Sequence, residues 1–228
     1  MFIICWSAKG GVGTTATAAS LGVLLAHATG DAPVTIVDLA GDVPAALGSP
    51  EPAGPGLLQW LAAPTASAAS LLRLAAPVKH GLQVVHLGDA AGAPSPVRSE
   101  AAAAERVAEA CTLAAHRGHV VVDAGCGPPP LALTGAADRS LLVTTGCFLA
   151  LRRASGISAR PTGVVLVAEP GRALAGPDVE AAIGAPVLAN VPWDPAIARC
   201  VDAGLLASRF PNSLARALRH LTVTEVAR

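Results

Sequence analysis

The sequence predicts a three-layer α/β protein, with a mostly parallel sheet of seven or eight strands between two layers of helices. Short runs that are apolar throughout recur along the chain, and strands of this kind are buried on both faces. Alanine-rich segments of helical length separate them. The 228 residues are 52% hydrophobic and 14% charged, which favours a packed core and suits a single domain over residues 1–228.

The first elements are predicted to form a β–α–β unit. An apolar strand over residues 2–6 leads through a glycine-rich loop into a helix over residues 14–27. A second apolar strand covers Val34–Asp38. Since a helical crossover joins parallel strands, we expect these two strands to be parallel and the first strand to lie at the centre of the sheet.

The remaining elements continue the alternation. Residues 49–64 are rich in proline and glycine but hold Leu57, Leu58 and Trp60, which predicts a short buried helix on a loop. Residues 90–97 are predicted to form a loop. Further helices are expected over residues 99–116 and 212–220, and further strands over residues 82–87, 119–123, 140–144, 163–167 and 186–191.

Charge and cysteine usage argue against several functions. The formal net charge is zero, so there is no strong signal for nucleic acid or for an anionic membrane. No apolar run reaches the ~20 residues of a spanning helix. The five scattered cysteines are expected to be buried free thiols in the cytoplasm.

Leu214, Leu218 and Leu221 are expected to pack in the core, with a membrane-binding stripe as the alternative.

The loop after the first strand is the strongest functional signal. Backbone amides and a helix N-terminus together cradle phosphate, and glycines let the ligand approach closely. The pattern GxxxxGK[ST] fails twice, because Ala8 takes the first glycine position and Thr14 the lysine position. The Thr15 hydroxyl is a candidate Mg²⁺ ligand. The candidate phosphate-binding residues are Lys9, Gly10, Gly11, Val12, Gly13, Thr14 and Thr15.

Residues 9–15, Lys-Gly-Gly-Val-Gly-Thr-Thr, resemble the deviant Walker A loop of the MinD/ParA ATPases. The resemblance implies a P-loop NTPase fold, binding of ATP or ADP with Mg²⁺, and a homodimer. Lys9 matches the signature lysine that in this family reaches the partner's phosphates, and a solvated loop lysine is the alternative. The threonine at position 14 resembles the TadZ/CpaE-like branch of pilus or septum positioning proteins, where atypical loops occur.

Two acidic motifs continue the resemblance. Asp38 matches the first carboxylate of the family's Asp-x-Asp motif, and Ala40 occupies the position of the second, which orients the attacking water. Asp42 is either a displaced substitute or a helix N-cap. Asp123 ends a strand that resembles Walker B, and it either supports Mg²⁺ through water or bonds its own turn.

The loop Val191-Pro-Trp-Asp-Pro195 resembles the segment that flanks adenine in MinD-like proteins. Pro192 and Asp194 are therefore candidate nucleotide-binding residues. The asparagine that often reads adenine is not evident, because Ala168 and Glu169 occupy that region, so the preference for adenine or guanine stays open.

The resemblance implies a MinD/ParA-like positioning or scaffold protein with a degenerate P-loop, which acts as a nucleotide-dependent dimerisation switch. ATP and Mg²⁺ are expected to bind weakly or only in the dimer, with slow hydrolysis or none. Nucleotide is expected to order residues 123–130 and close a dimer that recruits a protein of pilus, secretion or division machinery. The location is expected to be cytoplasmic, with polar or septal placement through that partner.

Two alternatives remain open. The first is a slow but genuine ATPase in which Lys9 and Asp42 substitute for the missing groups. The second is an interaction module that binds no nucleotide. Whether the chain is an enzyme is left undecided, because Thr14 and Ala40 stand where active ATPases have lysine and aspartate.

Overall fold

The computed structural model describes residues 1–30, 32–50, 53–88 and 96–223, which form one eight-stranded sheet with helices on both faces. The strands are β1 (Phe2–Ser7), β2 (Val34–Asp38), β3 (Ala76–Lys79), β4 (Leu82–Val85), β5 (His119–Cys126), β6 (Arg139–Thr145), β7 (Gly163–Ala168) and β8 (Val187–Pro192). Their order is β3-β4-β2-β5-β1-β6-β7-β8, and only the β3–β4 pair is antiparallel. The predicted parallel sheet with a central first strand is confirmed.

Helices cover the two faces of this sheet. In the described residues they are α1 (Thr14–Ala28), α2 (Val43–Leu47), α3 (Leu57–Leu61), α4 (Ala68–Leu72), α5 (Ala101–Ala115), α6 (Leu131–Ala136), α7 (Phe148–Ser155), α8 (Gly176–Ile183), α9 (Pro195–Asp202) and α10 (Asn212–Leu218). Two short 3₁₀ segments are also described: Pro96–Arg98 before α5, and Arg219–Thr222 after α10.

Two hydrophobic cores lie on opposite sides of the sheet, as a three-layer architecture requires. Strand β1 serves both, because successive side chains of a strand point to opposite faces. Phe2, Ile4 and Trp6 pack with α5, while Ile3 and Cys5 pack with α1 and α10. The central strand is thus buried on both faces, which explains its unbroken apolar sequence.

Strand β3 is the main element that the sequence pattern missed. It is partly exposed at the edge of the sheet and contains Pro77, and proline is tolerated at an edge because it lacks only an outward-facing donor. The helix predicted within residues 49–64 is confirmed as α3, with Leu57 and Trp60 buried. Of the loop predicted over residues 90–97, residues 90–95 lie outside the described residues.

The C-terminal leucines belong to the core. Leu214, Leu218 and Leu221 are buried in the cluster that also contains the apolar face of α1, so the core-packing interpretation is confirmed. Arg139 holds the segment after α10 by donating to the Leu221 carbonyl oxygen at 3.0 Å. No described helix is both long enough and apolar enough to cross a membrane.

The expectation of buried thiols is only partly correct. Cys5, Cys111 and Cys200 are buried, but Cys126 is exposed and Cys147 is partly exposed. These last two lie at the carboxyl ends of β5 and β6, where the strands leave the core and turn into loops.

Candidate functional site

The glycine-rich loop leaves an open surface at the start of α1. Gly11 and Gly13 have φ angles of 75° and 89°, in the left-handed region that favours glycine. A Cβ atom built on Gly10, Gly11 or Gly13 would find no neighbour within 4 Å. The first amides of a helix lack intrahelical acceptors, so the loop and the N-terminus of α1 can together hold an anion.

A polar cavity of about 710 Å³ opens on one side of this loop. Its lining includes Thr14, Thr15, Asp42, Cys126 and Asp202. Thr14 is largely buried, so the position of the family's P-loop lysine holds a short hydroxyl at the cavity wall.

An apolar cavity of about 350 Å³ lies on the other side of the loop, and both cavities share Gly11 and Gly13. Val12, Val191 and Pro192 line it. A polar and an apolar cavity joined at a glycine loop suit the phosphates and the base of one nucleotide.

Asp38 and Asp123 form a buried pair beneath the polar cavity. They are direct neighbours in register at the ends of β2 and β5, and both are fully buried. Burial, and after it the charge of Asp123, raises the pKa of Asp38 to about 7. Burial also raises the pKa of Asp123, and the Thr15 hydroxyl opposes this shift. Such a pair is unfavourable when both members are ionised without a cation.

The two carboxyls differ in their hydrogen bonds. The oxygens of Asp38 accept from the amides of Ala40, Gly41 and Val43 at 2.7 to 3.0 Å, so this residue shapes its own loop. Asp123 Oδ1 accepts from the Gly125 amide at 2.9 Å, whereas the buried Oδ2 has no partner among the described residues. Asp123 therefore bonds its own turn with one oxygen, while the other is buried without a described hydrogen-bond partner.

Asp42 lines the polar cavity, and Ala40, also in its lining, carries no carboxylate. Asp42 is exposed and close enough to raise the pKa of Asp123. It precedes α2, but its side chain makes no capping hydrogen bond to that helix. Its position thus favours a role at the cavity over the N-cap alternative.

Lys9 lines neither cavity. The amides of Ala150 and Leu149, together with the charges of Arg172 and Lys9, hold the pKa of the Cys147 thiol below its usual value. The charge of Lys9 thus reaches Cys147, which immediately precedes α7.

Three residues of the site were not predicted or behave differently from the prediction. Asp194 lines the apolar cavity, but it accepts from Ala196 and Ser213 at 2.8 and 2.7 Å and so acts as the N-cap of α9. Trp193, which the sequence places beside Pro192, is 56% exposed and also lines this cavity. Arg98 donates to the Pro128 carbonyl oxygen at 3.0 Å, and no motif signalled it.

The structure brings most of the predicted residues together around the two cavities. Lys9 and the buried Asp38 and Asp123 line neither cavity. The predicted residues that line the cavities are Gly10, Gly11, Val12, Gly13, Thr14, Thr15, Pro192 and Asp194.

The fold and the loop define the class of protein as an α/β P-loop NTPase fold. Among solved structures, a ParA family ATPase from Chlorobium tepidum matches with a TM-score of 0.75 at 21% identity, over 97% of this chain and 96% of that chain. MinD in the MinC:MinD cell division complex of Aquifex aeolicus gives 0.73 at 20% identity, over 100% and 98%.

The septum site-determining protein MinD from Pyrococcus horikoshii, complexed with Mg-ADP, gives a TM-score of 0.68 at 18% identity, over 97% of this chain and 93% of that chain. No protein-family profile and no curated protein sequence matches the chain. At these identities the likeness is one of fold: the chain has the fold of the ParA and MinD ATPases.

Proposed function

We propose that this chain is an ATP-binding positioning or scaffold protein of the MinD/ParA type, in which nucleotide closes a homodimer that recruits a protein partner. The observation that carries the proposal is the pair of cavities joined at the open glycine loop, above a buried carboxylate oxygen of Asp123 that has no partner in the described residues. A cavity of this composition and an unsatisfied buried acceptor both call for a ligand.

A nucleotide with Mg²⁺ fits the residues that are present. The amides of residues 10–15 would hold the phosphates, and the Thr15 hydroxyl and Asp123 Oδ2 are hard oxygen ligands of the kind that Mg²⁺ prefers. The bound cation would offset phosphate charge and the repulsion between Asp38 and Asp123. Val12 and Pro192 would pack on the base. The Mg-ADP complex of MinD from Pyrococcus horikoshii supports the same use of this fold.

Exposed apolar side chains support a dimer. Leu131, Phe148 and Leu149 are 66%, 68% and 52% exposed. They lie at the start of α6 and α7, which follow β5 and β6, the two strands that flank β1. These residues and the glycine loop therefore share one edge of the sheet, the edge formed by the carboxyl ends of the parallel strands. Apolar groups grouped at one edge are typical of interaction sites. A second copy covering this edge would bring Lys9 to its partner's phosphates.

The site is poorly equipped for hydrolysis. A lysine at position 14 and a carboxylate at position 40 would act on charge that develops in the transition state, and each such contact contributes on the order of 10²–10³ in rate. Their replacement by Thr14 and Ala40 favours a binding switch over an enzyme. The position of Asp42 in the polar cavity keeps a slow ATPase as the second candidate.

The biological setting follows from the same likeness. The MinC:MinD cell division protein complex of Aquifex aeolicus joins a protein of this fold to a second protein. We extend this to the present chain as a partner in pilus, secretion or division machinery, located in the cytoplasm with polar or septal placement through that partner.

The experiment combines calorimetry, light scattering and phosphate release with ATP–Mg²⁺. The proposal expects binding of ATP–Mg²⁺, a doubling of mass and turnover no higher than background. Asp123→Ala should lose the binding and the doubling of mass. An exposed carboxylate on α5 provides the matched control, Glu105→Gln, which should behave like wild type. Robust turnover would favour the slow ATPase. No binding by the folded wild-type chain would leave only the interaction module.

A further inference from the structure

Arg98 lies against the turn over residues 125–128, which separates it from the polar cavity. Its Nη1 donates to the Pro128 carbonyl oxygen at 3.0 Å. A Cβ atom on Gly127 would come within 3.0 Å of Nη1, and one on Gly125 within 3.4 Å of Nη2. Both glycines have positive φ angles, of 63° at Gly125 and 116° at Gly127. The two glycines therefore let the guanidinium pack directly on the backbone of this turn.

The same turn forms the cavity wall. Gly125 and Cys126 line the polar cavity. Burial raises the pKa of Asp123, at the start of the turn, and the charge of Arg98 partly opposes that shift. The guanidinium is thus held one turn of backbone away from the place where phosphates would lie.

The cavity lacks a cation of its own. Its described lining carries two carboxylates, Asp42 and Asp202, and no lysine or arginine. Thr14 supplies no charge, and Lys9 lies outside the cavity. A nucleoside triphosphate bound with Mg²⁺ keeps a net negative charge, and guanidinium groups recognise phosphate oxygens with two parallel donors.

We infer that Arg98 donates to the terminal phosphate of a bound nucleoside triphosphate, and that this contact changes the conformation of the turn over residues 125–128. This rests on the proposed function, since it requires a nucleotide in the cavities. Arg98 either supports the turn through Pro128 or donates to the phosphate, so a triphosphate releases and reorders the turn while a diphosphate leaves it in place. The arginine replaces, from another element, the charge that position 14 has lost.

The test compares the affinity for a non-hydrolysable ATP analogue with that for ADP, both with Mg²⁺, by calorimetry. Arg98→Gln keeps a donor for the Pro128 carbonyl oxygen and removes the charge, and Arg98→Ala removes both. We expect each variant to bind the triphosphate at least tenfold more weakly, about 1.4 kcal/mol, and ADP less than threefold more weakly. Arg98→Lys should lie between them and wild type.

The matched control is Arg117→Ala. Arg117 is exposed in the turn between α5 and β5, at the amino ends of the strands, whereas the cavities lie at their carboxyl ends. Arg117→Ala removes one positive charge there and should leave both affinities unchanged. An equal loss of both nucleotides in Arg98→Gln, or none, would overturn the inference while leaving the proposed function standing. A wild-type chain that binds neither nucleotide would overturn both.

Discussion

The buried pair Asp38–Asp123 predicts that the ligand-free chain loses stability as the pH rises. The pKa of Asp38 is raised in the folded state from 3.8 to about 7, so the folded chain holds this proton more tightly than the unfolded chain does. The stabilisation of the folded chain by protonated Asp38 is complete below pH 4 and disappears as the pH rises through 7. About three pKa units at 1.36 kcal/mol each give a loss of about 4 kcal/mol.

The measurement is urea unfolding between pH 5 and 9 in the presence of EDTA, on wild type, Asp123→Asn and the control Glu105→Gln. Asp123→Asn should be the more stable protein at pH 8, because it removes the charge that raises the pKa of Asp38 and replaces an oxygen without a described partner. Asp38→Asn is a poorer probe, since its amide would face the Val43 amide.

The difference in unfolding free energy between wild type and Asp123→Asn isolates the contribution of the Asp38–Asp123 pair. Burial lowers the pKa values of His27, His86 and His119, which gives stability the opposite slope near pH 6 in every variant. Parallel curves for wild type and Asp123→Asn, or a wild type that gains relative stability up to pH 8, would refute the reasoning.

Three other predictions concern chemistry and surfaces. Thr14→Lys combined with Ala40→Asp should raise phosphate release above the wild-type background, because it restores two transition-state contacts; a double variant at background contradicts this. Cys147 should be alkylated faster than free cysteine at pH 7, and more slowly in Lys9→Ala, because Lys9 helps to lower its pKa; equal rates count against that contact. The chain should not co-sediment with anionic liposomes, because the leucines around Leu214 are buried; a pelleted fraction refutes it.

Much of the fold could be predicted because the central strands carry their burial in their composition. β1 and β2 are apolar on both faces and so were predicted with nearly correct ends, and β5 was predicted but runs three residues further than expected, to Cys126. β3 was missed because an edge strand of four residues with a proline has no such pattern. Local composition reports burial on two faces but carries little information about an edge.

The site divides in the same way. The glycine loop is contiguous, so its residues could be predicted from the sequence as a candidate phosphate-binding element. Arg98 could not be recognised, because its contacts with Gly125, Gly127 and Pro128 join segments almost thirty residues apart in the chain. Asp42 was uncertain for a related reason: only the course of its loop decides whether a displaced carboxylate reaches the cavity.

The most direct test of the central claim is the mass of the Lys9→Ala variant in the presence of ATP–Mg²⁺. A charge-assisted hydrogen bond from lysine contributes roughly 1.5–3 kcal/mol, so its loss should weaken nucleotide binding at least tenfold. Lys79→Ala, which changes the chain's other lysine at the edge strand β3, is the control.

Light scattering should give a dimer for wild type and Lys79→Ala with ATP–Mg²⁺, and a monomer for Lys9→Ala, with every melting temperature unchanged. Lys9→Arg should restore the dimer only in part, because a planar guanidinium does not replace a compact ammonium beside a tight glycine loop. A Lys9→Ala protein that binds ATP–Mg²⁺ and dimerises like wild type would contradict the account.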